Sequence, residues 1–244
     1  GPDGRIVAGR LCQPMQPTTE AFFFELMRNC FFHLNSALVR RELYAAAGAF
    51  DGELKAGEDY DMQIRLARLG RAVCSPAPSF LFRQHAGVRG DKAQQYKAAQ
   101  RSRVFRRYSA MLGRKLRQAL PLGDYLMPRT AQALDAAQQS QALLNRAQVM
   151  ANHGCIAELF EDVQEWAAQK SAPPSCTEAE ALSLAMRTGW AYDAAGDDWP
   201  GFFAQVRALR HARDGSFASS ALALGVWQMA RGYPGTWSER TARA

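Results

Sequence analysis

The chain has 244 residues, with 30 Lys and Arg against 23 Asp and Glu, a formal net charge of +7. With 48% hydrophobic and 22% charged residues its composition is that of a globular protein, which excludes a disordered, collagen-like or low-complexity chain. No apolar run approaches the about 20 residues a membrane helix needs, and five scattered cysteines without a CxxC pair exclude a disulfide framework and a structural zinc site, so a cytoplasmic location is expected.

The chain opens Gly1-Pro2 without an initiator methionine, which reads as a cut from something longer. Arg5 to Ala8 is a short strand candidate, and Phe31 to Val39 is again strand-like. Arg40 to Ala47 predicts a short helix stopped by Gly48, and Phe50-Asp51-Gly52 has turn chemistry. Asp59 to Leu69 predicts a helix with apolar Met62, Ile64, Leu66 and Leu69, stopped by Gly70. Ala72 to Cys74 and Ser79 to Phe82 read as strands around Pro76 and Pro78, and a long helix is expected from about Asp91 to Leu116.

From about residue 128 the sequence becomes rich in Ala, Gln and Leu with nearly continuous helical periodicity. Breaks fall at Gly154, Ser171 to Ser175, Gly196, Asp214-Gly215 and Gly232. Ala147 to Gly154 resembles Gly189 to Gly196, and Val226 to Gly232 echoes both. Stacked helical hairpins or a plain bundle would give this pattern. His33, His153 and His211 lack ligand partners at metal spacing, and the five tryptophans favour core positions over a sugar platform. Asp197-Asp198 before Trp199-Pro200 reads as a helix cap.

Charge is uneven. Eleven basic residues and one acid lie between Arg83 and Arg117, a segment of +10 in a chain whose remainder is −3. Such a helix suits phosphates, an anionic membrane surface or nucleic acid, or it is a solvated face, or it pairs with acids elsewhere. Aromatic interleaving is sparse, which disfavours nucleic acid.

Gly57-Glu58-Asp59-Tyr60-Asp61 stands where a loop enters a helix. Acids there face the free amides and positive end of the helix, and taken alone they are caps. The wider arrangement is Gly48-Ala49-Phe50-Asp51, then Glu58-Asp59-Tyr60-Asp61, Arg65-Leu66, Gly70 and Arg83-Gln84-His85. Over roughly residues 1 to 115 it resembles the C-terminal half of a family 2 glycosyltransferase of the GT-A fold. The resemblance implies an α/β fold, a partial GT-A mixed sheet with helices, over 1–118, and the helical periodicity described above predicts an all-α hairpin or bundle domain over 119–244. It implies Asp59 as general base on an acceptor hydroxyl, Glu58 flanking it, and His85 at a position that helps bind the metal or the diphosphate. A hydrogen-bonded loop histidine is the other reading of His85. A divalent metal, Mn²⁺ or Mg²⁺, is expected in the complete enzyme. The implied partners are a nucleotide-sugar donor and a glycan, lipid or protein acceptor, with the helical domain binding acceptor or a protein partner.

The formal D-x-D at Asp59 to Asp61 is not the family's metal site, because it begins an amphipathic helix instead of following a buried strand. The nucleotide-binding half, with its metal-binding D-x-D, would precede residue 1, and no P-loop or strand-borne GxGxxG replaces it. The competing expectation is a helical interaction scaffold whose transferase half no longer catalyses.

Overall fold

The computed structural model describes residues 16–75, 77, 100–169, 173–211 and 214–231. Among these residues the structure is all-helical, with ten α-helices and no strand. The chain divides into two compact units, residues 1–108 and 109–244, and the boundary falls inside a helix.

The N-terminal unit is built on α1 (Phe22–Arg28), α2 (Arg41–Ala47) and α3 (Glu58–Leu69). Phe22, Phe23, Phe24, Leu26 and Met27 give α1 a buried face. That face and Met62, Ile64 and Leu66 of α3 form the core, joined by Phe31, Leu54 and Ala56. Phe22 and Phe31 meet edge to face at 5.3 Å, the arrangement ring quadrupoles favour. Gly48 ends α2 with φ +79, and Gly70 ends α3 in extended backbone, the two stops that the glycines predict.

The mixed sheet does not form among the described residues, and the expected α/β GT-A half is corrected to helix and loop. Phe31 to Val39 contains a 3-10 turn over Leu34–Ser36 between extended residues, and Ala72 to Cys74 has no ladder partner. Extended preference is local, whereas a strand needs a second strand to satisfy its backbone. Leu38, at 104% relative exposure, and Val73, at 84%, lie in solvent where a sheet would have buried them. The strand candidates Arg5 to Ala8 and Ser79 to Phe82 lie outside the described residues.

Helix α4 (Arg101–Ala119) carries the unit boundary after Tyr108. In the C-terminal unit α5 (Ala136–Asn152) and α6 (Ile156–Gln169) pack as a hairpin around Gly154. Then come α7 (Cys176–Arg187), α8 (Ala191–Gly196), α9 (Trp199–Leu209) and α10 (Gly215–Ala230). α7 packs on both α5 and α10. A Cβ at Gly225 would sit 2.3 Å from the Ser183 carbonyl, so only glycine lets α10 approach α7 this closely.

Local chemistry starts these helices. Asp135 with Gln138 and Ser175 with Glu178 form reciprocal capping boxes, and Asp198 accepts from the Gly201 amide ahead of Pro200. The similar octapeptides do not occupy equivalent places. Ala147 to Gly154 ends the 17-residue α5, whereas Gly189 to Gly196 is mostly the six-residue α8. Left-handed glycines turn the chain at Gly154 and Gly189, and Gly196 ends α8. No described helix is long and apolar enough to cross a membrane.

Candidate functional site

The loop into α3 is anchored by buried Leu54 and Ala56 and shaped by Asp51, whose side chain accepts from the Glu53 amide at 2.9 Å. Gly57 caps α3 in the left-handed region, φ +91. A Cβ there would meet nothing within 4 Å, so the backbone angle, not crowding, calls for glycine. Glu58, Asp59 and Asp61 fill the first turn, where carboxylates face the helix dipole and its free amides.

The four residues Glu58 to Asp61 have separate surroundings. Tyr60 points its hydroxyl into the fold and donates to the Leu26 carbonyl at 2.6 Å and that of Met27 at 3.2 Å. Burial holds this hydroxyl well above its usual range, and the nearby Cys30 adds to the rise. Asp61 is 2% exposed and accepts from Arg65 Nε at 2.8 Å, with Arg65 Nη2 also at 2.8 Å. Arg65 in turn donates to the carbonyls of Ala47 and Ala49, binding the end of α2 to α3.

Asp59 is half-buried and Glu58 exposed. Asp59 Oδ1 accepts from the Tyr60 amide at 2.8 Å, and no cation pairs with either carboxylate among the described residues. Cys30 Sγ lies 3.4 Å from the Phe32 carbonyl and 3.5 Å from Gln63 Oε1. Burial pushes this thiol up to about 12, and the charge of Asp59 adds to the shift.

His85 lies outside the described residues. Among those described, no three His, Cys, Asp or Glu side chains group as metal ligands. His153 is buried, with Nδ1 2.9 Å from both Ser109 Oγ and the Ser109 carbonyl. Asp198 makes the cap already described.

A buried charge network in the C-terminal unit carries no signature in the sequence. Asp162, at 0% exposure, accepts from Arg117 at 2.8 Å and from Arg146 at 2.7 Å and 3.0 Å. Glu161 and Glu165 pair with the same two arginines at 2.8 Å and 3.5 Å. Its members come from α4, α5 and α6, too far apart in sequence for any spacing rule to join them.

No protein-family profile, curated protein or solved structure matches this chain. Together with the absence of any strand among the described residues, this overturns the resemblance to a family 2, GT-A glycosyltransferase.

Proposed function

We propose that the N-terminal unit serves a sugar transfer in which Asp59 is the general base. The acceptor hydroxyl oxygen forms a bond to the anomeric carbon of a nucleotide-sugar donor. The bond from that carbon to the nucleoside diphosphate breaks, and the hydroxyl proton passes to Asp59. Glu58, beside it, orients the acceptor. The observation that carries this reading is the division of the acidic run. Tyr60 and Asp61 are tied into the fold, while Asp59 and Glu58 keep carboxylate oxygens without a cation where the loop enters α3.

The test measures nucleoside diphosphate release and sugar transfer by the whole chain, using a panel of nucleotide sugars with Mn²⁺. Asp59→Asn is compared with wild type at matched circular dichroism. A loss of roughly 10²–10⁴-fold is expected for removal of a general base. Equal rates would remove Asp59 from the role, and a wild type that turns over no donor would remove the reading.

A second reading, a protein-docking module, rests on α10. Its sixteen residues include no charged side chain, yet Leu224 and Trp227 are about half exposed. Apolar side chains on a helix without charges are ordinarily covered. Leu224→Asp would abolish complex formation with a partner that covers this face, detectable by sedimentation velocity.

A further inference from the structure

Helix α10 has two sides of different character. Ala218, Ala221, Leu222, Gly225, Val226 and Met229 are buried, where α10 packs on α7 and α9. Ser216, Ser220, Leu224, Trp227 and Ala230 are exposed, and their spacings of three and four place them in one stripe along the helix. Leu224 is 47% and Trp227 50% exposed, although Arg231 lies over the Trp227 ring at 4.6 Å. The stripe has no charge between Gly215 and Ala230, in a chain of net charge +7. Two copies of α10 therefore meet without like charges opposed along the stripe, and a partner that binds by its charge finds nothing there to pair with.

Side-chain size changes along the stripe. Its first half is small, with Ser216 and Ser220, and its second half is large, with Leu224 and Trp227. Half-buried Ala223 lies near the midpoint. An antiparallel second copy sets the Trp227 end of each helix on the serine end of the other, large against small in both directions through one two-fold axis. The serine end can be covered without stranding the Ser220 hydroxyl, which donates to the Ser216 carbonyl at 2.8 Å within the helix. Antiparallel packing also opposes the two helix dipoles. Sixteen residues span about 24 Å, which places a contact of one helix on one helix at the low end of specific interfaces. The pair is therefore reversible and forms as concentration rises.

We infer that the exposed stripe of α10 pairs antiparallel with the same stripe of a second copy of this chain, centred near Ala223 and Leu224. This names the partner for the docking reading of α10, rests on that reading, and is independent of Asp59. The test is sedimentation equilibrium of the whole chain, from micromolar to millimolar protein, at low and high salt. A monomer–dimer equilibrium is expected, and salt leaves it unchanged or tightens it, as for an apolar contact between copies of like net charge. Leu224→Asp sets two carboxylates near the two-fold axis and Leu224→Lys two ammonium groups, so each variant alone should dimerise roughly tenfold or more weakly. An equimolar mixture of the two should recover dimerisation, because opposite charges then meet at the axis. Ser220→Arg, which fills the small end, should also weaken it, with circular dichroism unchanged in all three variants. A wild type that stays monomeric would overturn the inference, as would dimers that persist in Leu224→Asp, dissociate with salt or fail to recover in the mixture. A monomeric chain whose complex with another protein is lost in Leu224→Asp would overturn self-pairing and keep the docking reading.

Discussion

Asp61 and Arg65 lock two helices together from one turn of α3. Asp61 Oδ2 takes both the Nε and Nη2 hydrogens of Arg65 at 2.8 Å, and the same guanidinium reaches the Ala47 and Ala49 carbonyls on either side of Gly48. The carboxylate is buried, so cutting the pair strands a charge and two carbonyls. Arg65→Ala is expected to destabilise the N-terminal unit by about 2–3 kcal/mol, and Asp59→Asn by about 1 kcal/mol or less, since an asparagine oxygen still accepts from the Tyr60 amide. Urea unfolding of both variants checks the ranking. Equal losses would mean that the two acids are not divided between structure and site.

In the C-terminal unit, Asp162 is the shared acceptor of two arginines. Asp162→Ala leaves Arg117 and Arg146 facing each other without their buried counter-charge, and a loss of about 3–5 kcal/mol is expected. Arg114→Ala breaks a pair whose arginine is half exposed, and about 0–1 kcal/mol is expected there. Thermal or urea unfolding distinguishes them, and a mild Asp162→Ala phenotype would show that the network contributes little.

Local features were legible in the sequence. Gly48 and Gly70 mark the ends of α2 and α3, and Asp198 caps α9. Pairing across the chain was not legible. The β-favouring residues around Leu38 and Val73 suggest strands, but a strand exists only with a partner, and both side chains end in solvent. The acidic run at the mouth of α3 was visible as chemistry. Which of its members turns inward was set by Arg65 and by the carbonyls of Leu26 and Met27, which no spacing rule places beside it. Asp162, Arg117 and Arg146 meet only because α4, α5 and α6 pack together.

Alkaline pH should weaken the fold through its buried thiols. Cys30 and Cys155 are each pushed up to about 12 from an ordinary 9.0, chiefly by burial. Below 9.0 the thiols keep their protons whether folded or not, and this contribution is constant. Above 9.0 the unfolded chain releases protons that the folded chain retains, so the unfolded state binds fewer protons and stability falls until about 12. Tyr60 and Tyr125, also raised by burial, act in the same direction. A loss of roughly 1–2 kcal/mol per thiol is expected by about pH 10. Urea midpoints at neutral and alkaline pH check it, and Cys155→Ala should flatten the decline. A midpoint that does not move would show both thiols reaching solvent.

Gly113 tests the packing of α4 on the corner between α5 and α6. A Cβ at this position would lie 2.6 Å from His153 Cβ and 3.0 Å from Cys155 Sγ. His153 cannot easily retreat, because it is buried and its ring is held by Ser109. Alanine is favoured over glycine by about 1 kcal/mol inside a helix, so a Gly113→Ala protein with no clash would be more stable than wild type. Overpacking of this kind costs about 1–3 kcal/mol, and both partners here are enclosed, so net destabilisation is expected. Gly52→Ala is the control, since its Cβ would meet nothing within 4 Å, and a change within about 0.5 kcal/mol is expected. Thermal unfolding of the two variants decides the matter. A stabilised Gly113→Ala protein would mean that α4 stands further from His153 than these distances state.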